Sequence, residues 1–380
     1  MRQHKPGLRQ RNDDEETLLS PNYRPSAKCE SVPCMIGVGF IGAGPVVQAI
    51  HLPTLARLAD EFEVVTVTDP NRDVAARVAA RVNARISESV HDLLDDPAVD
   101  VVAVCSPPRF HADQVIAAIQ AGAKAVFCEK PLATSVDDAE RIAAASNEYE
   151  VPVIVGAMHT YDPGWVAGRA EADRIAGSVT AIRSSIVLPF NQLFEDQATE
   201  TIRVAPPDTA ATSTSADSAA RIREAVLGLA VHDLPLVRSF LPAAANVQVT
   251  AADLLKPFGY AISIASGGVV AEVVGHMQSH WQPAWEFEVF SPTDSMSIDF
   301  TPSFIHAGSA TATLATNGHR TVLGPYSENG YVGEWETIAD IVAHAIPASR
   351  VDLESAVEDL RFAVAVADGA AEIISSGGHR

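Results

Sequence analysis

Two glycines one residue apart, Gly42 and Gly44, close an apolar run (MIGVGFI) and open a segment of helical character. At a strand-to-helix turn this spacing serves phosphate binding. Gly42 permits the tight turn, and Gly44 lets a pyrophosphate approach the backbone. The helix N-terminus that follows offers unpaired N–H groups and a partial positive charge to that anion. Pro45 suits the first helical turn, where its missing N–H costs nothing, and Val46 and Val47 complete the motif. The third small residue of the dinucleotide fingerprint is Val47 here, which predicts a helix held somewhat further from its strand.

A glycine pair alone is a weak signal, and Asp69 at the end of the next run (EVVTVTD) strengthens it. A carboxylate there accepts hydrogen bonds from the adenosine ribose and repels a 2′-phosphate, so NAD is expected over NADP. Arg72 lies close enough to soften that preference. The competing reading of Asp69 is a turn residue before Pro70. Ser106, Pro107 and Pro108 end the run VDVVAVC and would wall the same crevice. His111 opens the following helix at the cofactor end, or is simply a helix-start residue packed on its loop.

These residues need a scaffold. Residues 35–160 alternate apolar runs with helical patterns, and the runs are apolar throughout, as strands covered on both faces should be. The segment His111–Gly122 puts Val115, Ile116 and Ile119 on one stripe and ends on a glycine suited to a helix C′ position. Ser135 to Asp138 reads as a capping box. The fold class predicted is α/β: an N-terminal Rossmann-type doubly wound parallel sheet. After about residue 163 the rhythm changes to strand-like runs joined by turns, an α+β domain with a large, mainly antiparallel open sheet. The helices expected there are Trp165–Ile175, Ala219–Leu241, Glu334–Ile346 and Val351–Ser375, with a long loop over 190–220. The domains are thus a tail over 1–34, disordered in this reading, a dinucleotide-binding domain over 35–160 and a substrate and oligomerisation domain over 161–380. Residues 1–34 are polar, and Met35 is a candidate for the true start.

Composition bounds the rest. The chain has 380 residues, 47% hydrophobic and 20% charged, enough to bury two cores, which excludes wholesale disorder. A formal net charge of −21 repels phosphate backbones and argues against a nucleic-acid partner. No run of about 18 apolar residues is present to span a membrane, and a cytoplasmic location is expected. Cys29, Cys34, Cys105 and Cys128 form no CxxC pair, so no metal site is expected. Cys105 and Cys128 each end an apolar run and read as buried free thiols.

At Glu129-Lys130-Pro131 the pieces combine. The chain resembles the glucose–fructose oxidoreductase / inositol dehydrogenase (Gfo/Idh/MocA) family. The matching stretches are FIGAG with His51-Leu52-Pro53, Asp69 at its strand end, CSPPRFHAD and AGAKAVFCEKPLA. GSVTAIRSSI, VHDLPLVRSFL and GYVGEW match less sharply. The resemblance implies an NAD(P)-dependent dehydrogenase or reductase of sugars, cyclitols or related polyols, forming homodimers or homotetramers through the C-terminal sheet. It implies that Glu129 and Lys130 border the cofactor, that Lys130 reaches the reacting oxygen, and that His232 is the acid/base. It also suggests a cis peptide before Pro131. The family's Asp four residues before that histidine is Gly228 here, and Asp233 points about 100° away on a helix.

Oxidising an alcohol needs a base, and histidine's ordinary pKa suits one. Lys130 as a cation would stabilise a developing alkoxide; its bland alternative is an ion pair with Glu129 or a neighbour. His159 and Tyr161 follow the sixth strand as weaker substrate contacts, or as ordinary hinge residues. Trp281 and Trp285 would stack on a sugar or pack the sheet. The missing carboxylate at Gly228 keeps a second function class open: a nucleotide-binding regulatory or sensor protein without redox turnover.

Overall fold

Six parallel strands build the first sheet: β1 (Ile36–Ile41), β2 (Phe62–Thr68), β3 (Arg85–Ile86), β4 (Val101–Val104), β5 (Ala125–Glu129) and β6 (Val153–Gly156). Their order is β3-β2-β1-β4-β5-β6, so the chain reverses direction across the sheet between β1 and β4. That reversal opens a crevice at the strands' C-terminal ends, where Gly42 and Ser106 lie. Every residue of β1 and β4 is buried, matching their unbroken apolar runs. β3 has two exposed residues and carried no apolar signal. The expected helix signals are present. The Ser135 side chain accepts from the Asp138 N–H and caps Val136–Tyr149, and Gly122 takes φ +85° after His111–Gln120.

The computed structural model describes residues 35–176, 178–202, 217–242, 246–277, 282–316, 318–344, 346–347 and 351–377. The expectation for residues 1–34, with Cys29 and Cys34, lies outside them, as does Trp281.

The second sheet has eight strands: β7 (Ala181–Leu188), β8 (Gln248–Leu254), β9 (Phe258–Ser266), β10 (Val269–Met277), β11 (Ala284–Phe290), β12 (Ser295–Asp299), β13 (Thr311–Thr316) and β14 (His319–Leu323). The order is β14-β13-β12-β11-β7-β10-β9-β8. All its pairings are antiparallel except β7 with β10. Alternation sorts its faces. Ile182, Ser184 and Ile186 of β7 turn inward with Trp285, Phe287 and Val289 of β11. On the other face Arg183 pairs with Glu288 at 3.1 Å.

Three local expectations differ. The helix expected over 219–241 is broken into Ser218–Gly228, a 3-10 turn Ala230–His232, and Leu234–Arg238. Pro235 explains the last break, because it lacks an N–H and its ring clashes with the carbonyl of a preceding turn. The loop expected over 190–220 contains a helix, Gln192–Ala198, and its residues 203–216 lie outside the described ones. The helix expected from Glu334 begins earlier, at Gly330, and runs to Val342, capped by the Asn329 side chain on the Val332 N–H.

The closing helices return to the first sheet. Trp335 and Ile338 of Gly330–Val342 are buried with Phe40, Phe62 and Phe127. In Leu353–Ser375, Val357 and Leu360 join the core on the opposite side of that sheet, while Phe362, Ala363 and Val366 join the core of the second. Among the described residues no helix is long and apolar enough to cross a membrane.

Candidate active site

The crevice at the β1–β4 reversal is a cleft of about 690 Å³. Gly42 sits at φ +103°, and a Cβ there would lie 2.7 Å from the Cys105 carbonyl oxygen, so the turn requires glycine. A Cβ on Gly44 would meet nothing within 4 Å, because that backbone faces the cleft. Val46 also lines it. Val47 is fully buried, and the helix, already begun at Pro45, takes a wide π turn over Val47–His51. Asp69 is fixed at the rim: one carboxylate oxygen accepts from the Ala43 N–H (2.9 Å), the other from Asn71 N–H (2.8 Å). Asp69 thus organises its turn and also lines the cleft. Arg72 is ion-paired to Glu88, which itself lines the cleft. Ser106 and Pro107 form the opposite wall, and the Ser106 hydroxyl donates to Gln114 Oε1 at 2.6 Å.

His111 corrects the sequence expectation of a cofactor contact. It is fully buried, with Nδ1 2.8 Å from the Pro131 carbonyl and Nε2 2.8 Å from that of Ser106. It ties the loop after β4 to the loop after β5, and so acts on the site by bracing two of its walls. Cys105 and Cys128 are free thiols, both pushed well above the ordinary thiol range by burial.

Lys130 stands at the C-terminal edge of the same sheet, after β5, and the Lys130–Pro131 peptide is cis. Its backbone is held by Glu129, whose Oε2 accepts the Lys130 N–H at 3.0 Å. Glu129 Oε1 lies 2.9 Å from His51 Nε2, and Trp335 Nε1 donates to His51 Nδ1 at 3.3 Å. An indole N–H only donates, so Nδ1 is the acceptor and the His51 proton sits on Nε2, facing Glu129. Burial opposes the Glu129 charge, yet the His51 hydrogen bond and the neighbouring cation hold the carboxyl below its usual range. The sequence reading quoted His51 within a motif but gave it no task, and Trp335 had none either.

No carboxylate among the described residues lies within ion-pair distance of Lys130 Nζ, so the bland alternative of a Glu129 pair is not how the site is built. Nζ donates instead to the Gly228 carbonyl oxygen at 3.1 Å. Burial lowers the Lys130 pKa, and the charge of Glu129 counteracts part of that. His232 lies one 3-10 turn beyond Gly228. Burial first, then Lys130 and His159, pushes its pKa well below the ordinary imidazole value.

Asp233 turns away from His232, as its sequence position predicted, and into the core. It is fully buried and accepts from His159 Nδ1 (3.1 Å), Trp285 Nε1 (2.8 Å) and the Ser184 hydroxyl. His159, given as a weak substrate contact, is 3% exposed and stacks on Phe300 at 3.9 Å between ring centres. Tyr161 lines a smaller cavity of about 290 Å³ together with Lys130 and Val231, and burial raises its phenol pKa, with Glu334 adding to it. Trp285 packs the sheet, as the likelier of its two expected uses.

Residues 36–157 match the model of an oxidoreductase family with an NAD-binding Rossmann fold (GFO_IDH_MocA). Inositol 2-dehydrogenase 3 of Saccharopolyspora erythraea is 45% identical over 131 residues, 34% of this chain and 38% of that protein. Inositol 2-dehydrogenase of Paracoccus denitrificans is 35% identical over 151 residues, 39% of this chain and 44% of that protein. The match to these two relatives thus spans less than half of their length. A 3-ketoreductase from Actinomadura kijaniata, solved in complex with NADP and TDP-benzene, is similar with TM-score 0.66 and 20% identity, over 88% of this chain and 98% of that one. UDP-N-acetylglucosamine 3-dehydrogenase from Acidithiobacillus ferrooxidans gives TM-score 0.67 and 20% identity, over 89% and 99%. At that identity the likeness is one of fold.

Proposed function

The chain belongs, through the NAD-binding Rossmann fold of residues 36–157, to the Gfo/Idh/MocA oxidoreductase family, and on that premise we propose that it is an NAD(P)-dependent dehydrogenase or reductase. Its substrate in this reading is a sugar, cyclitol or related polyol, oxidised or reduced at a CH–OH group. The names of its relatives point the same way: inositol dehydrogenases by sequence, sugar ketoreductase and dehydrogenase by fold.

The observation that carries the reading is the contact of Lys130 with Gly228, which brings the lysine to the segment holding His232. The cleft suits a dinucleotide in this reading, with Gly42, Gly44 and Val46 at the phosphate turn and Asp69 at the ribose end, while the buried Val47 anchors the helix behind them. When bound, the nicotinamide supplies the acceptor or donor of hydride. Lys130 stabilises the oxyanion that develops on the substrate. His232, neutral at pH 7 because its pKa lies well below the ordinary value, takes or returns the hydroxyl proton. NAD is preferred over NADP in this reading, since Asp69 and Glu88 put two carboxylates at the ribose end and Glu88 occupies Arg72. A cytoplasmic homodimer or homotetramer, joined through the outer face of the eight-stranded sheet, completes it.

Gly228 favours the second reading, a nucleotide-binding sensor without turnover. NADH fluorescence across a panel of polyols and aldoses separates the two. NAD-dependent signal growth with one member supports the enzyme; dinucleotide binding with no turnover across the panel supports the sensor.

A further inference from the structure

We infer that His159, oriented by Asp233, is the proton-relay partner of His232 and stands in for the carboxylate that Gly228 lacks. The inference rests on the oxidoreductase reading above and deepens it.

His159 and His232 lie 6.2 Å apart between ring centres, inclined by 48°. Each has one buried nitrogen with no hydrogen-bond partner among the described residues: Nε2 of His159 and Nδ1 of His232. Buried polar atoms in folded proteins are paired in the great majority, so an orphan on each of two neighbouring rings calls for a shared explanation. One hydroxyl between the rings, from substrate or solvent, satisfies both.

The tautomer of His159 is set by its other side. Asp233 accepts from Trp285 and Ser184 as well as from His159, the arrangement of a carboxylate. His159 therefore carries its proton on Nδ1 and presents a lone pair at Nε2. Phe300 stacked on its face and Trp285 edge-on at 4.4 Å hold the ring plane. An imidazole fixed by a buried carboxylate, with its far nitrogen free, is built to receive a proton.

His232 is poorly suited to keep one. Besides its burial, Lys130 and His159 both act against a positive charge on it. The remaining titratable groups nearby are Asp162, which accepts the Ala310 and Gly164 N–H groups, and Tyr260, which feels Asp233. In the oxidising direction the substrate O–H bond breaks and its proton bonds to His232. His232 releases its other ring proton through the bridging hydroxyl, and an N–H bond forms at His159 Nε2. The substrate carbon gives up a hydride, which a nicotinamide dinucleotide bound in the cleft would accept. The positive charge ends on His159, against the negative charge of Asp233. Reduction runs the same path backward.

The test uses the full chain. In His159→Asn the side-chain amide replaces Nδ1 as donor to Asp233, and nothing replaces Nε2. The variant should keep its thermal midpoint and NADH affinity, hold KM within a few-fold, and lose about 10²-fold in kcat. The acid limb of its kcat–pH profile should also move. Unchanged kcat and profile, with NADH binding intact, would overturn the relay. A second measurement depends neither on turnover nor on the folding of His159→Asn. The imidazole ¹⁵N shifts of His159 should differ between the unsubstituted chain and His232→Gln; unmoved shifts overturn the pairing of the rings. If the unsubstituted chain turns over no sugar or polyol, the oxidoreductase reading falls, and the ¹⁵N shifts still decide whether the two imidazoles interact.

Discussion

Lys130 Nζ donates a hydrogen bond to the backbone carbonyl of Gly228, 98 residues away, at 3.1 Å. Gly228, which has no side chain to offer, is thus still a partner of the lysine through its main chain. The contact also keeps the lysine within the electrostatic reach of His232.

Replacing Lys130 with Met should remove turnover and leave dinucleotide affinity within a few-fold. Its amine lies at the end of β5, whereas Gly44 and Asp69 line the cleft from β1 and β2. Binding by fluorescence titration and steady-state rates check the two halves separately. A Met variant with more than a tenth of the parent kcat would remove Lys130 from the chemistry.

Gly228→Asp can be built without a clash, since a Cβ there meets nothing within 4 Å. The new carboxylate would stand beside Lys130 and one turn from His232, and would raise the pKa of both cationic forms. The base must be neutral to act, so the acid limb of the oxidation profile should move to higher pH. A profile superimposable on the parent's would mean that neither group controls it.

Asp69→Ala should narrow the preference for NAD over NADP, because it removes the negative charge that a 2′-phosphate would meet at the cleft rim. About tenfold is expected from the loss of one charged contact of roughly 1.4 kcal/mol. Some stability should be lost as well, because the Ala43 and Asn71 N–H groups lose their acceptor. The ratio of the two dissociation constants is the measurement; an NADP-preferring parent chain would sink the premise.

Glu334 is 1% exposed and one of its oxygens has no partner among the described residues; burial, with Glu129 nearby, raises its pKa well above the usual value. A raised carboxyl pKa means that the folded state binds more protons than the unfolded one. Its stability contribution is complete below the unfolded pKa and is lost as pH rises toward the folded one. Glu334→Gln should therefore gain thermal midpoint relative to the parent at pH 8, by roughly 2 °C or more, and gain less at pH 5. An equal difference at both pH values would show that this group does not titrate in that window.

The parts legible in the sequence are those where chemistry needs neighbours in the chain. The glycine turn, Asp69 at its strand end and the Glu129-Lys130-Pro131 run each work through contiguous backbone. Asp233 was legible only by its direction. Its partners His159, Ser184 and Trp285 arrive from three other elements, and helix geometry around His232 says nothing of them. Trp335 reaches His51 across 284 residues, a pairing that no local pattern encodes. The helix break after His232 was in principle readable from Pro235, but the apolar spacing on either side of it continued at helical period and concealed it.

The return of the closing helices to the first sheet also sets a timetable. β6, the last strand of that sheet, ends at Gly156, yet Trp335, Ile338, Val357 and Leu360, which cover its two faces, are made up to roughly 200 residues later. At about 5–20 residues per second, a ribosome takes roughly 10–40 s over that interval. During it the nascent sheet has uncovered apolar patches, and Glu129 has its His51 before His51 has its indole. Residues 35–160 released as a separate fragment should therefore bind a hydrophobic dye that the full chain excludes, and should depend on chaperones in a way the finished protein does not.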